Sequence, residues 1–419
     1  MGIRERFREP WGQIPLLPWE VLILLTCFNL LNYLDRYLVS AIITDISKEF
    51  HLSDTEAGRI STAFMLGYFI VSPLFGYLGD RMSRKWLIAG GVFVWSLATY
   101  MSGAATGFVS LLIYRVWVGF GEASYGTISP AIITDVFPET KRNNALTIFY
   151  VAIPVGSAVG YMLGGFMASK WGWREAFHIA GLPGILLAVL FLMFKEPKRG
   201  ESDQLHQSAH KIPSLADILA ILKIRPYVLV VAGYCLYTFS LGAYAYWGPT
   251  FLERVHKVEK NEAALTFGII TVIAGLVGTF LGGFLTTWLR KRYNQAYEYF
   301  MGVTVLLTVP FSYLAFTLTD PRLVQMNLFL AVFMFFLPTG PINTLILSAV
   351  PSNLRASAMA ISIFSIHMFG DMWSPEIVGR LSDSWQDLSK AMMVLPIFSG
   401  LAGLLWLYMG LDASKRQTN

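Results

Sequence analysis

Six ionisable side chains stand inside long apolar runs of this chain, where a charge is costly to keep. Asp35 and Arg36 lie in one run, Arg115 and Glu122 in a second, and His367 and Asp371 in a third. At the middle of a membrane-spanning helix an ionised group costs about 2.5–3.5 kcal/mol, so it is seldom retained without a role. Helical spacing groups them. Asn29, Asn32 and Arg36 fall at i, i+3 and i+7 and share one face, while Asp35 points about 100° away. Arg115 and Glu122 are seven residues apart on one face. His367 and Asp371 are four apart, with Pro375 following.

These residue types suggest two chemistries. Arg36 and Arg115, with Asn32 and Tyr33 beside them, would grip a phosphate or carboxylate through forked hydrogen bonds. Asp35 or Glu122 would take and release a proton, because burial favours the protonated carboxyl and a nearby arginine the ionised one. His367 beside Asp371 would serve as a proton-responsive pair. The competing reading is a set of structural ion pairs that fix helix packing. Tyr33, Tyr37, Tyr234, Tyr237 and Trp247 would line an amphipathic path or act simply as packing aromatics.

Composition says what must position these groups. Hydrophobic residues make up 55% of the 419 and charged residues 14%, against roughly 25% charged in soluble domains. Too little polar surface remains to coat several soluble globules. A hydrocarbon core of about 30 Å needs about 20 apolar helical residues, and runs of that length recur twelve times. Helices are expected near 19–44, 55–79, 86–104, 108–133, 143–168 and 174–194, then near 227–251, 262–289, 297–318, 323–349, 356–378 and 390–411. The fold class is therefore an all-α polytopic membrane protein with six helices on either side of one long polar stretch.

That stretch gives the expected domain bounds: a six-helix bundle over 1–194, a linker over 195–225, and a second bundle over 226–419. Leu215, Ile218, Leu219 and Leu222 make a short amphipathic surface helix within the linker one reading, and a plain solvated linker the other. The run Pro338-Thr339-Gly340-Pro341 predicts a bend in the tenth helix. Residues 1–20 contain three prolines and no apolar core, so the first run reads as a retained helix and not a cleaved leader.

Orientation follows from the placement of Lys and Arg in short loops. With both termini in the cytoplasm, cytoplasmic pieces hold 20 Lys and Arg and the opposite loops hold 9. Other function classes fit poorly. No basic stripe interleaved with exposed aromatics suggests nucleic acid. Cys27 and Cys235 sit in separate apolar runs and form no metal or disulfide pattern. There is no HExxH, no serine motif with a placed base and no Walker A sequence, so neither a catalytic site nor a cofactor is implied. A broad-specificity drug or amphipath exporter and a transport-inactive sensor stay open as alternatives.

Motifs then narrow the class. Residues 76–85, GYLGDRMSRK, resemble the loop signature of the major facilitator superfamily, with Gly76, Asp80, Arg81, Arg84 and Lys85 at matching positions and Ser83 where the family usually has Gly. The resemblance implies a conformational latch formed by Gly76, Asp80, Arg81 and Arg84, with Gly76 packing closely on a neighbouring helix, the eleventh by analogy. The RVWVGFGE run from Arg115 and the stripe Pro154, Gly156, Gly160, Gly164, Gly165 resemble the family's motifs in helices 4 and 5. Over 31–85, 115–138 and 367–375 the chain is similar to the spinster family of that superfamily, and its short termini suggest a bacterial member. The resemblance implies two six-helix bundles alternating about a midplane cavity, and a proton-coupled carrier of lysophospholipids or sphingoid phosphates. It also implies that Asp35, Arg36, Arg115 and Glu122 form the central site. The expected partners are a small amphipathic substrate, protons and membrane lipids, the protein acting as a monomer in the bacterial inner membrane.

Overall fold

The computed structural model describes residues 13–198, 220–351 and 354–418; the side chains of Asp80, Glu139, Thr140, Asn143, Ala356 and 416–418 are also outside the description. Among the described residues there is no β-strand, only an isolated bridge between Ile14 and Phe194. The chain folds into two compact units, one of Met1–Leu52 and Arg59–Ser208, the other of Ser53–Gly58 and Ala209–Asn419.

The first unit is built from α1 (Pro18–Phe50), α2 (Asp54–Arg81, whose first turn to Gly58 belongs to the second unit), α3 (Arg84–Gly103), α4 (Phe108–Val136), α5 (Glu139–Trp171) and α6 (Trp173–Phe191). Local chemistry sets the ends of α1. Pro18 opens it where no amide donor is needed, the Glu20 carboxylate accepts from the Leu17 amide at 2.8 Å, and His51 closes it in the left-handed conformation, φ 52°.

Glycine contacts between two pairs of helices shape the region of the charged positions. On α5, a Cβ at Gly156 would stand 2.6 Å from the Leu30 carbonyl oxygen, and one at Gly160 2.6 Å from that of Leu34. The glycine stripe therefore lets α5 lie directly on α1 beside Asp35. Between α2 and α4, Gly67 faces the Val116 carbonyl and Gly119 faces the Phe64 carbonyl, and neither site has room for a Cβ. We expect Gly160→Leu to lower the thermal unfolding midpoint in detergent by an amount corresponding to about 1–3 kcal/mol of overpacking. Gly90→Leu, where a Cβ would meet nothing within 4 Å, should leave that midpoint unchanged.

The second unit contains α7 (Arg225–Arg254), α8 (Lys260–Arg290), α9 (Ala296–Thr317), α10 (Pro321–Phe336), α11 (Thr339–Ser348), α12 (Arg355–Ile366), α13 (Ser374–Trp385), α14 (Leu388–Met392) and α15 (Val394–Thr418). The expected tenth helix breaks at Leu337 and Pro338 into α10 and α11. Gly282 of α8 takes up the Leu337 carbonyl at the break, so the bend serves packing. The expected eleventh helix is α12 and α13 joined through a π-turn at His367–Asp371. Of the linker, 199–219 and hence Leu215, Ile218 and Leu219 lie outside the described residues. Ile221–Lys223 form a 3₁₀ turn with Ile221 buried and Leu222 exposed.

Ten segments are long and apolar enough to cross a membrane among the described residues. The other two of the twelve expected are α4, whose Arg115 and Glu122 lower its hydropathy, and the α12–α13 segment, which the π-turn interrupts. The chain is an integral, multi-pass membrane protein.

Candidate substrate and proton site

The first unit gathers Asp35, Arg36, Arg115 and Glu122. On α1, Arg36 reaches α4, where its Nη2 donates to Glu122 Oε2 at 2.9 Å. The glutamate side chain is fully buried while that of Arg36 keeps 19% of its exposure. Asp35, one residue earlier, points away from this pair as the helical geometry requires. It is buried, and its Oδ2 accepts from Thr99 Oγ1 of α3 at 3.3 Å.

Each carboxylate keeps an oxygen that meets no donor in hydrogen-bond geometry: Asp35 Oδ1 and Glu122 Oε1. Trp95 is close enough to act on the first carboxylate, and Asn32 on the second. An unsatisfied buried carboxylate oxygen is expensive unless a proton or water meets it. Arg115 is buried on the same face of α4 as Glu122 and acts electrostatically on both acids.

An aromatic partition holds the arginines. The Phe64 ring centroid lies 4.9 Å from Arg36 Cζ and 5.1 Å from Arg115 Cζ. Tyr33 and Tyr68 stand 4.9 Å and 5.6 Å from Arg36 Cζ, and Tyr33 stacks on Tyr37. Cation–π contacts of this kind stabilise a partly dehydrated guanidinium without consuming its N–H donors.

His367 and Asp371 form a pair of their own in the second unit. The imidazole Nδ1 lies 2.9 and 3.1 Å from the two Asp371 oxygens, and both side chains are about one-quarter exposed, at 23% and 27%. The π-turn that carries them packs on α7, where Gly370 faces Thr238 and Gly242 faces Asp371. Such turns recur at functional positions. Of the aromatics expected to line a path, Tyr237 and Trp247 are buried and donate to the backbone carbonyls of Phe335 and Pro375. Both are packing residues.

The loop-signature residues separate. The Asp80 side chain lies outside the described residues. Arg84 pairs with Asp135 of α4, and its amide donates to Glu196 Oε1 at 2.9 Å. Arg81 lies over the Tyr77 ring with Cζ 3.7 Å from its centroid. A Cβ at Gly76 would make only ordinary contact with Thr127 at 3.7 Å, so within its own unit Gly76 is not a tight packing position.

The sequence reading missed Phe64, Tyr68, Trp95 and Thr99 in the first-unit site. It also missed a part-buried polar network in the second unit. Arg254 Nη2 donates to Asp54 Oδ2 at 3.0 Å and Ser382 Oγ donates to the same carboxylate at 2.6 Å. Asp383 in turn caps α2, accepting from the amides of Asp54 and Thr55 at 2.9 and 2.8 Å. The available signal was weak: polar residues near helix ends, with no indication of which would meet.

Comparison with known proteins gives one family. The profile of the Major Facilitator Superfamily matches residues 25–375. The chain is 34% identical to Protein spinster of Drosophila melanogaster, over 91% of this chain but only 64% of that protein's length. It is 34% identical to the Sphingosine-1-phosphate transporter SPNS2 of Danio rerio, covering 93% of this chain and 85% of the relative. In fold it is similar to a bacterial homolog of the human lysosomal transporter Spinster, solved in an inward-facing and unoccupied conformation, with a TM-score of 0.86, 24% identity, and coverage of 94% and 97% of the two chains. The nucleoside transporter NupG matches with a TM-score of 0.73 at 15% identity, over 93% of this chain and 99% of that one.

Proposed function

The chain belongs to the major facilitator superfamily, as a transporter of spinster type, and from that premise we propose that it carries an anionic amphipath together with a proton by alternating access. The substrate is of the lysophospholipid or sphingoid-phosphate class, in keeping with the name of the Danio rerio relative. The bundles over 1–194 and 226–419 move as two bodies of a monomer. Both termini lie on the cytoplasmic side of a bacterial inner membrane, a topology supported by the two-to-one excess of Lys and Arg in the loops that it makes cytoplasmic.

One observation carries the proposal: two buried acids and two arginines are assembled within the first unit, Glu122 bonded to Arg36 and Asp35 within the electrostatic reach of Arg115. With all four ionised, the cluster is neutral. Adding an anionic head group to Arg36 and Arg115 leaves it negative in a poorly solvated place, unless a carboxylate takes up a proton. Anion and proton thereby help each other in. Asp35 is the proposed carrier of the proton because no arginine bonds it directly. Glu122 competes with the anion for Arg36. His367 and Asp371 are a further proton-responsive pair, and Gly76, Asp80, Arg81 and Arg84 the latch.

Uptake into liposomes tests this, using a lysophospholipid, a sphingoid phosphate and a cationic amphipathic drug, each with and without a pH gradient. The gradient should drive accumulation of the anionic compounds. Gradient-driven uptake of the cationic drug alone would overturn the reading and favour a multidrug exporter.

A further inference from the structure

Away from the charged cluster, the second unit carries an apolar groove on its outer surface. It lies between α9 and the start of α15 and is lined by Val309, Pro310, Tyr313, Leu314, Pro396 and Ile397, with a volume of about 690 Å³. Met393 lines it as well, and also lines a second hollow of about 470 Å³ with Trp385 and Lys390. The two hollows share Met393, so the apolar trough adjoins the hollow that Lys390 lines. Tyr313 and Ile397 are 57% and 60% exposed; on a membrane-spanning surface that exposure is to hydrocarbon.

Lys390, which lines the second hollow, brings a charge pair to its edge. Lys390 Nζ lies 3.3 Å from Asp387 Oδ2, the two side chains 71% and 34% exposed. Asp387 is held as an anion, because the Lys390 amide donates to its carboxylate at 3.0 Å and keeps it below the usual range. Trp385, half exposed, lines the same hollow as Lys390, and tryptophan is a residue favoured at membrane interfaces. A cation beside an anion is the complement of a head group that carries both charges close together.

We propose that this trough is a binding site for phosphatidylethanolamine, with its phosphate on Lys390, its ammonium on Asp387 and one acyl chain along Pro310, Tyr313 and Ile397. The ammonium of ethanolamine has three N–H donors for the aspartate, and choline has none. A phosphatidylglycerol head group would meet Lys390 but bring no cation to Asp387. The site is separate from the transport cluster and does not depend on the substrate proposed above.

Native mass spectrometry of the purified protein, titrated with phosphatidylethanolamine, phosphatidylcholine and phosphatidylglycerol of equal chain length, tests the assignment. The wild type should retain phosphatidylethanolamine about fivefold more strongly than either competitor, the scale of an exposed ion pair. Asp387→Asn, which keeps an amide-capping side chain, should erase the preference over phosphatidylglycerol. Lys390→Gln should weaken retention of both. Ile397→Trp, which fills the trough, should reduce retention of all three with the unfolding midpoint unchanged. Equal retention of the three lipids by the wild type, or a preference that survives both Asp387→Asn and Ile397→Trp, would overturn it.

Discussion

Asp35→Asn should abolish the substrate accumulation that a pH gradient drives, while downhill flow of substrate continues. Asparagine has the same shape, and its side-chain carbonyl can still accept from Thr99 Oγ1, so the buried packing around position 35 is kept. What it cannot do is bind and release a proton. A gradient of one pH unit is worth about 1.4 kcal/mol per proton, which at one proton per substrate supports about a tenfold concentration ratio. The wild type should approach that ratio with the membrane potential clamped, and the variant should stay near unity. A variant that still accumulates substrate would move the proton to Glu122 or to the His367–Asp371 pair.

The second large effect is expected at Arg36. Its replacement by Met removes the partner of a fully buried carboxylate, and breaking a buried ion pair in this way costs about 3–5 kcal/mol. Both stability and transport should fall, transport by about 100-fold or more, since the anion loses a forked donor as well. Stability alone does not identify a transport role, so the informative protein is the double variant Arg36→Met with Glu122→Gln. With the stranded charge gone, the unfolding midpoint should recover most of its loss and transport should not. Recovery of transport in the double variant would make the pair structural. Arg36→Lys keeps the charge but not the planar fork, and should lie between the two.

The membrane-spanning helices were legible because length and apolarity are local properties that a bilayer demands of each segment in turn. The expected span 108–133 became Phe108–Val136 and the expected 262–289 became Lys260–Arg290. The interruption of the eleventh helix was not legible. Nothing in HMFGD is a strong breaker, and the π-turn comes with close packing on Thr238 and Gly242 of another helix. In the site, Asp35, Arg36, Arg115 and Glu122 stood out because each is costly where it lies. Phe64, Tyr68 and Trp95 did not, being three aromatics among many in apolar runs, singled out only by the helices that bring the first two to the arginines and Trp95 to Asp35. Asp54 met Arg254 and Ser382 across separations of 200 and 328 residues, which no local pattern encodes. The face assignment on α1 was sound: Arg36 and Asp35 meet different helices, α4 and α3 respectively.

The most direct test is proton movement evoked by substrate. Liposomes holding the protein and an internal pH dye, with no gradient imposed and the membrane potential clamped, are given an anionic lysolipid. Internal pH should change with the wild-type protein and stay flat with Asp35→Asn, although both take up lipid. Uptake by the wild type with no change in internal pH would contradict the account.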